Sequence, residues 1–259
     1  VQTCALPICL ITYMRTDSTQ VSKQAQQEAR ELISTQYGDE YLPEKAPEYK
    51  TKSQRAQEAH EAVRPTSARR TPAALKSVLS RDQYRLYKLI WSRFMASQMT
   101  PAVYDTLSIV LEGVDGEHVY TFRLAASALK FPGFMKVYGD RKKKKNGKKD
   151  GKPDVSLEQL PGLVKEDPVE ILDIYPEQHF TQPPPRFSDA SLIKTLEENG
   201  IGRPSTFAPT LSTLLNRGYV ERTDKRLFPT EIGFTVNDLL VEYFPDIVDT
   251  GFTVHMEND

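Results

Sequence analysis

Hydrophobic positions first fall into step at Val21, Ala25, Ala29, Leu32 and Ile33, a three-to-four spacing that predicts an amphipathic helix with Gly38 as its stop. Residues 39–56 are polar, carry Pro43 and Pro47, and read as a loop leading into the stretch around His60, where Pro65 ends any helix. Thr71-Pro72 opens a short helix, with proline at the first helical position. Ser80-Arg81-Asp82-Gln83 fits a capping box, and Tyr84, Tyr87, Ile90, Trp91, Phe94, Met95 and Gln98 follow at helical spacing. That aromatic stripe has the period of a helix face turned to a core, and we read it so rather than as a base-stacking surface.

From Thr100 the period changes to two. Val103, Asp105, Leu107, Ile109 and Leu111 alternate with Tyr104, Thr106, Ser108 and Val110, Asp115-Gly116 makes a turn, and His118, Tyr120, Phe122 and Leu124 alternate on the return. A further strand is expected through Val169, Ile171 and Asp173. Pro183-Pro184-Pro185 marks a boundary, after which Ser188 begins a helix carrying Leu192, Ile193 and Leu196 and ending at Gly200. Pro204 to Thr206 starts another, with Leu211, Leu214 and Leu215 inside and Gly218 at its end. A hairpin around Thr223-Asp224 joins Tyr219-Val220 to Leu227-Phe228, and a last helix from Thr230 carries Phe234, Leu239, Leu240 and Tyr243. The expectation is an α+β, multidomain chain: a helical domain over 10–100, a β-rich segment over 101–185 and a helical, winged-helix-like segment over 186–259.

Composition changes this picture little. The 259 residues are 39% hydrophobic and 27% charged, as in soluble globular proteins. No apolar run approaches the length of a membrane span and no signal peptide is visible, so a cytoplasmic location is expected. Net charge is −1, which argues against a general electrostatic field for nucleic acid. Charge is unevenly spread: Arg141–Lys152 holds eight of the 34 basic residues and one of the 35 acidic ones, leaving 26 basic against 34 acidic elsewhere. That run reads as a solvated loop, with a nucleic-acid contact as the alternative. Cys4 and Cys9 do not make a disulfide framework. Residues 1–9 look foreign, similar to the translation of a sequencing adapter, and are set aside from fold reasoning.

Candidate chemistry centres on Ile11-Thr12-Tyr13-Met14-Arg15-Thr16-Asp17-Ser18. A phenol oxygen can attack phosphorus, and a guanidinium two residues on can grip its non-bridging oxygens. In a strand Tyr13 and Arg15 would share a face, although a Tyr-x-Arg triplet is also ordinary strand surface. His60 by itself reads more readily as a surface or capping residue than as a catalytic one. Ser205 and Thr206 stand at an expected helix N-terminus, a natural phosphate site, while Gly200 to Pro204 also fits a plain interhelical turn.

Three ordered blocks sharpen the reading: the one above, Gln57-Glu58-Ala59-His60-Glu61-Ala62-Val63-Arg64-Pro65-Thr66, and Gly200-Ile201-Gly202-Arg203-Pro204-Ser205-Thr206-Phe207-Ala208. Together they resemble the type IA DNA topoisomerases, in the bacterial topoisomerase I branch, from about Leu10 to Asp259. The resemblance implies a toroidal protein in which a catalytic-tyrosine domain, a β-rich hinge and a winged-helix-like DNA-binding segment come from this chain, and a family that continues past Asp259. It implies that Tyr13 attacks a DNA phosphodiester and becomes joined to the 5′ phosphate, that Arg15 stabilises the charge, and that His60 positions the phosphate. Arg203, Ser205 and Thr206 would approach the strand, with Arg64, Arg217 and Arg222 as further DNA contacts. Asp17 would orient Arg15 or cap the following helix. The partner implied is single-stranded or negatively supercoiled DNA, relaxed without ATP by a monomer. Mg²⁺ would be bound in the complete enzyme by an acidic cluster of an N-terminal domain; this chain has no Asp-x-Asp and is expected neither to hold the metal itself nor to relax DNA alone. Alternatives are a single-stranded DNA-binding fragment without turnover and the topoisomerase part of a reverse gyrase, although no Gly-x-x-x-x-Gly-Lys loop occurs.

Overall fold

The computed structural model describes residues 10–14, 16, 18–49, 61–139, 162 and 164–256, in two compact units that divide between Ile171 and Leu172. The first unit is built on two helices, α1 (Lys23–Tyr37) and α3 (Arg81–Ser97). Ser22 caps α1 by accepting from the Ala25 N–H, and Gly38 ends it at φ 103°, a conformation that glycine adopts at little cost. On α3 the Ser80–Gln83 capping box forms as the sequence predicts. Small residues Ala25 and Ala29, with Ile33, form the buried face of α1. The aromatic stripe of α3 packs into the same cluster: Tyr87, Trp91, Phe94 and Met95 are all buried, together with Tyr41, Ala68, Leu79 and Met99. It is core, as its period predicts.

Two polar tips of that stripe reach past the core to the chain that follows Pro65. The Trp91 indole N–H donates to the Ala68 carbonyl at 2.8 Å, and the Tyr87 hydroxyl donates to the Arg70 carbonyl at 2.7 Å. Burial raises the Tyr87 pKa above the ordinary phenol value, so this group stays a donor. Short helix α2 (Pro72–Leu75), capped by Thr71, completes the layer.

Strands β1 (Val103–Asp115) and β2 (His118–Phe131) form one long antiparallel ribbon, with Ile109 opposite Leu124 and Leu111 opposite Phe122. Gly116 supplies the positive φ, 61°, that a two-residue hairpin loop needs. The ribbon joins the helical layer through Phe131, whose ring lies 4.9 Å from that of Tyr41, and through Phe134, which leads into α4 (Met135–Tyr138). The strand expected through Val169, Ile171 and Asp173 does not form. Residues 167–188 have no regular structure, and Val169 and Ile171 are 49% and 60% exposed. Alternation prepares a strand, but pairing completes one, and among the described residues β1 and β2 pair with each other alone. The basic run 141–152 lies outside the described residues.

In the second unit α5 (Asp189–Glu198), capped by Ser188, and α6 (Pro204–Asn216) are followed by β3 (Val220–Thr223), β4 (Arg226–Pro229), α7 (Glu231–Tyr243), α8 (Pro245–Val248) and α9 (Thr250–Met256). The β3–β4 turn falls on Asp224 and Lys225, at φ 49° and 63°, one residue later than the pattern suggests. Phe234, Leu239, Leu240 and Tyr243 of α7 are exposed.

Gly233 fixes how α7 meets the chain before β3. A Cβ there would lie 2.1 Å from the Tyr219 carbonyl oxygen and 3.0 Å from its carbon, and both are backbone. Helix propensity alone would make Gly233→Ala stabilising by about 1 kcal/mol. The clash reverses the sign, and we expect a net loss of about 1–3 kcal/mol in urea denaturation of the second unit's transition. A raised midpoint would show that the contact is looser than described.

Candidate functional site

The described residues of the first and second blocks form a single local structure. Ile11 bridges Pro65 in antiparallel fashion, the Thr66 N–H donates to the Leu10 carbonyl at 3.1 Å, and the Thr12 N–H donates to the Arg64 carbonyl at 2.9 Å. The Thr12 hydroxyl adds a second tie. It donates to the Ala62 carbonyl at 2.9 Å and accepts from the Arg64 N–H at 3.0 Å. Downstream, Ser18 is buried, the Ala62 N–H donates to the Gln20 carbonyl at 2.8 Å, and the Ser22 N–H donates to a Glu61 carboxylate oxygen at 3.1 Å.

The chain is therefore pinned at Thr12 and again from Ser18 to Ser22, and Tyr13 stands on the span between with 72% of its surface exposed. An exposed phenol on an anchored backbone suits a nucleophile, because a large substrate can reach it while its position is held. Arg15, Asp17 and His60 lie outside the described residues.

Arg64 faces inward. Its side chain is 13% exposed, and it forms an ion pair with Glu61 at 2.7 Å. Its Nε–H also donates to Glu61 at 3.1 Å, Nη2 donates to the Ser22 hydroxyl at 3.3 Å, and Nη1 donates to the Pro65 carbonyl at 3.0 Å. Sequence reasoning passed over Thr12, Ser22 and Glu61. The signals were present for two of them: Glu61 and Arg64 have i,i+3 spacing, and Ser22 precedes a helical pattern.

In the second unit Arg203 is the N-cap of α6 and Pro204 its first residue. The Thr206 hydroxyl accepts from the Arg203 N–H at 2.8 Å, so it closes the helix start, while Ser205 beside it is exposed. Arg203 donates from Nη1 to the Gly202 carbonyl at 2.9 Å. Gly202 has φ 79°, which a side chain would oppose. Arg217 is the exposed C-cap of α6. Arg222, on β3, is paired through Nη2 with Asp189 in the first turn of α5 at 3.0 Å, and its Nε–H donates to the same carboxylate at 3.3 Å.

The described residues do not fit a magnesium site, since no three His, Cys, Asp or Glu side chains gather among them. Among the described residues no helix is long and apolar enough to cross a membrane.

Residues 9–259 match the sequence model of the family described as DNA topoisomerase. The fold is similar to the structure of full-length topoisomerase I from Thermotoga maritima, with a TM-score of 0.73 and 38% sequence identity. That alignment covers 97% of this chain and 38% of the Thermotoga chain, so this chain spans well under half the length of that protein.

Proposed function

Because the chain belongs to the DNA topoisomerase family, as a fragment of the bacterial type IA kind, we propose that Tyr13 is the residue that cleaves and reseals one DNA strand. The observation that carries this reading is the exposed phenol held between two anchored stretches of backbone. In the step, the phenolic oxygen forms a bond to phosphorus and gives up its proton. The bond from phosphorus to the 3′ oxygen breaks, and that oxygen leaves as a hydroxyl after taking up a proton. The strand is then joined to Tyr13 through its 5′ phosphate. Attack by the 3′ hydroxyl reverses every bond change, so the phosphodiester is restored without ATP. Arg15 and His60 act on the phosphate oxygens as charge stabiliser and positioning group, and another strand passes while the gap is open. In the complete enzyme this relaxes negatively supercoiled DNA with magnesium held outside the residues described, and the natural setting is the nucleoid.

Arg203, Ser205, Thr206 and Arg217 are the contacts with the strand in the second unit. Arg222 contributes less than its charge suggests, because a phosphate must compete with Asp189 for it. Asp189→Asn is therefore expected to tighten binding of a single-stranded oligonucleotide and to steepen its salt dependence by up to about 0.7 in slope, the contribution of one added phosphate contact. Unchanged slope in a fluorescence-anisotropy titration would remove Arg222 from the interface.

The function is tested with a single-stranded oligonucleotide labelled at one end or the other, incubated with magnesium and the chain, alone and with a separately supplied metal-binding domain from a family member. A denaturation-resistant adduct that keeps the strand bearing the 5′ phosphate is the expected product. An adduct on the 3′ phosphate side, or none in any mixture from folded protein, would overturn the proposal.

A further inference from the structure

We propose that Arg64 is a positioning residue that holds the Tyr13 segment in register, and not a phosphate contact. The catalytic half of this inference rests on the function proposed above; the structural half does not. A phosphate-binding arginine keeps its guanidinium fork available, whereas this one is turned inward and distributed over three partners. Nε and Nη2 both meet Glu61, Nη2 reaches the Ser22 hydroxyl, and Nη1 meets the Pro65 carbonyl. Each partner belongs to a different part of the anchor. Ser22 is the N-cap of α1, Pro65 is the residue bridged to Ile11, and Glu61 already accepts from the Ser22 N–H. The backbone of Arg64 holds Thr12 from both sides, by its carbonyl and by its N–H.

One residue thus ties the start of α1, the second block and the tyrosine segment together. Only a planar fork with several donors can do so. A lysine ammonium carries the same charge but cannot meet Glu61, Ser22 and Pro65 in this geometry. Glu61 in turn neutralises the part-buried guanidinium, and removal of Glu61 leaves that charge without its counter-ion.

The test compares Arg64→Lys, Arg64→Ala, Glu61→Gln and the double variant Glu61→Gln/Arg64→Lys with the unaltered chain, each checked for folding by far-ultraviolet circular dichroism. Amide hydrogen exchange is read at Thr12 and Thr66, oligonucleotide affinity across a salt series, and adduct yield at saturating oligonucleotide. We expect exchange at both amides to accelerate in Arg64→Lys as well as Arg64→Ala. Adduct formation at saturation should fall by up to about a hundredfold in both, the scale of a misplaced reacting group. Affinity and salt slope should stay the same, and the double variant should be no worse than Arg64→Lys alone. Rescue of the adduct by lysine, or a salt slope reduced by about 0.7 in Arg64→Ala, would make Arg64 a phosphate contact and overturn the inference. Exchange unchanged in both single Arg64 variants would overturn it as well. An unaltered chain that binds DNA without forming an adduct, both alone and with the supplied metal-binding domain, would defeat the proposed function instead, and the exchange result would still decide what Arg64 holds.

Discussion

Tyr13→Phe is expected to abolish the covalent DNA adduct completely while leaving fold and DNA affinity almost unchanged. The substitution removes one oxygen and keeps the ring. Because the side chain is 72% exposed, little packing is at stake, and a surface change of this kind shifts stability by no more than about 0.5 kcal/mol. Loss of an auxiliary acid or base leaves a slowed reaction, but loss of the nucleophile leaves no bond to form. Two of the neighbouring hydroxyls are already committed. Thr12 is engaged on both sides by Ala62 and Arg64, and Ser18 is buried. The measurement is a denaturing gel of labelled oligonucleotide beside an anisotropy titration, run with and without the supplied metal-binding domain. An adduct that persists in Tyr13→Phe at the unaltered yield would place the nucleophile elsewhere.

Where local rules decide, the sequence predicts the structure closely. α1 and α3 follow their apolar spacing, and Ser22, Ser80, Ser188 and Thr230 are N-caps at the positions where their side chains can reach the first free N–H groups. The long ribbon follows its alternation and its Asp-Gly turn. Where a partner is required, the sequence is silent. Val169 and Ile171 alternate as a strand does, yet find nothing to pair with among the described residues. The same distinction governs the site. Tyr13 is legible from its motif, but the hydrogen bonds that pin its strand join Thr12 to residues fifty or more positions away. Arg64 and Arg222 read alike in the sequence, as cations available to phosphate. The carboxylates that engage them, Glu61 from three residues away and Asp189 from thirty-three, become visible only in three dimensions.

The segment that carries Tyr13 is held by the core as well as by its neighbours, and Tyr87→Ala should expose that dependence. Tyr87, on α3, is fully buried in the core cluster that α1 and α3 share, and its hydroxyl donates to the Arg70 carbonyl. Removing a buried aromatic ring costs about 3–5 kcal/mol, a large share of the 5–15 kcal/mol by which a domain is ordinarily stable. Trp91, the single tryptophan, lies in the same cluster and reports the transition by its fluorescence in urea. Tyr87→Phe separates the two contributions, since it keeps the ring and gives up one hydrogen bond, and should cost about 1 kcal/mol. A loss below about 1 kcal/mol for Tyr87→Ala would mean that the cavity collapses around it and that this cluster is not the support of the unit. The expected larger loss has a consequence for the chemistry. Tyr87 and Trp91 hold the chain at Arg70 and Ala68, which leads back to Pro65 and its bridge to Ile11, two residues before the nucleophile. Adduct yield should therefore fall in Tyr87→Ala at urea concentrations where the unaltered chain is still fully folded, and fall in step with the Trp91 signal. The phenol at Tyr13 can be exposed and yet fixed because the order it needs is supplied by residues that never approach DNA.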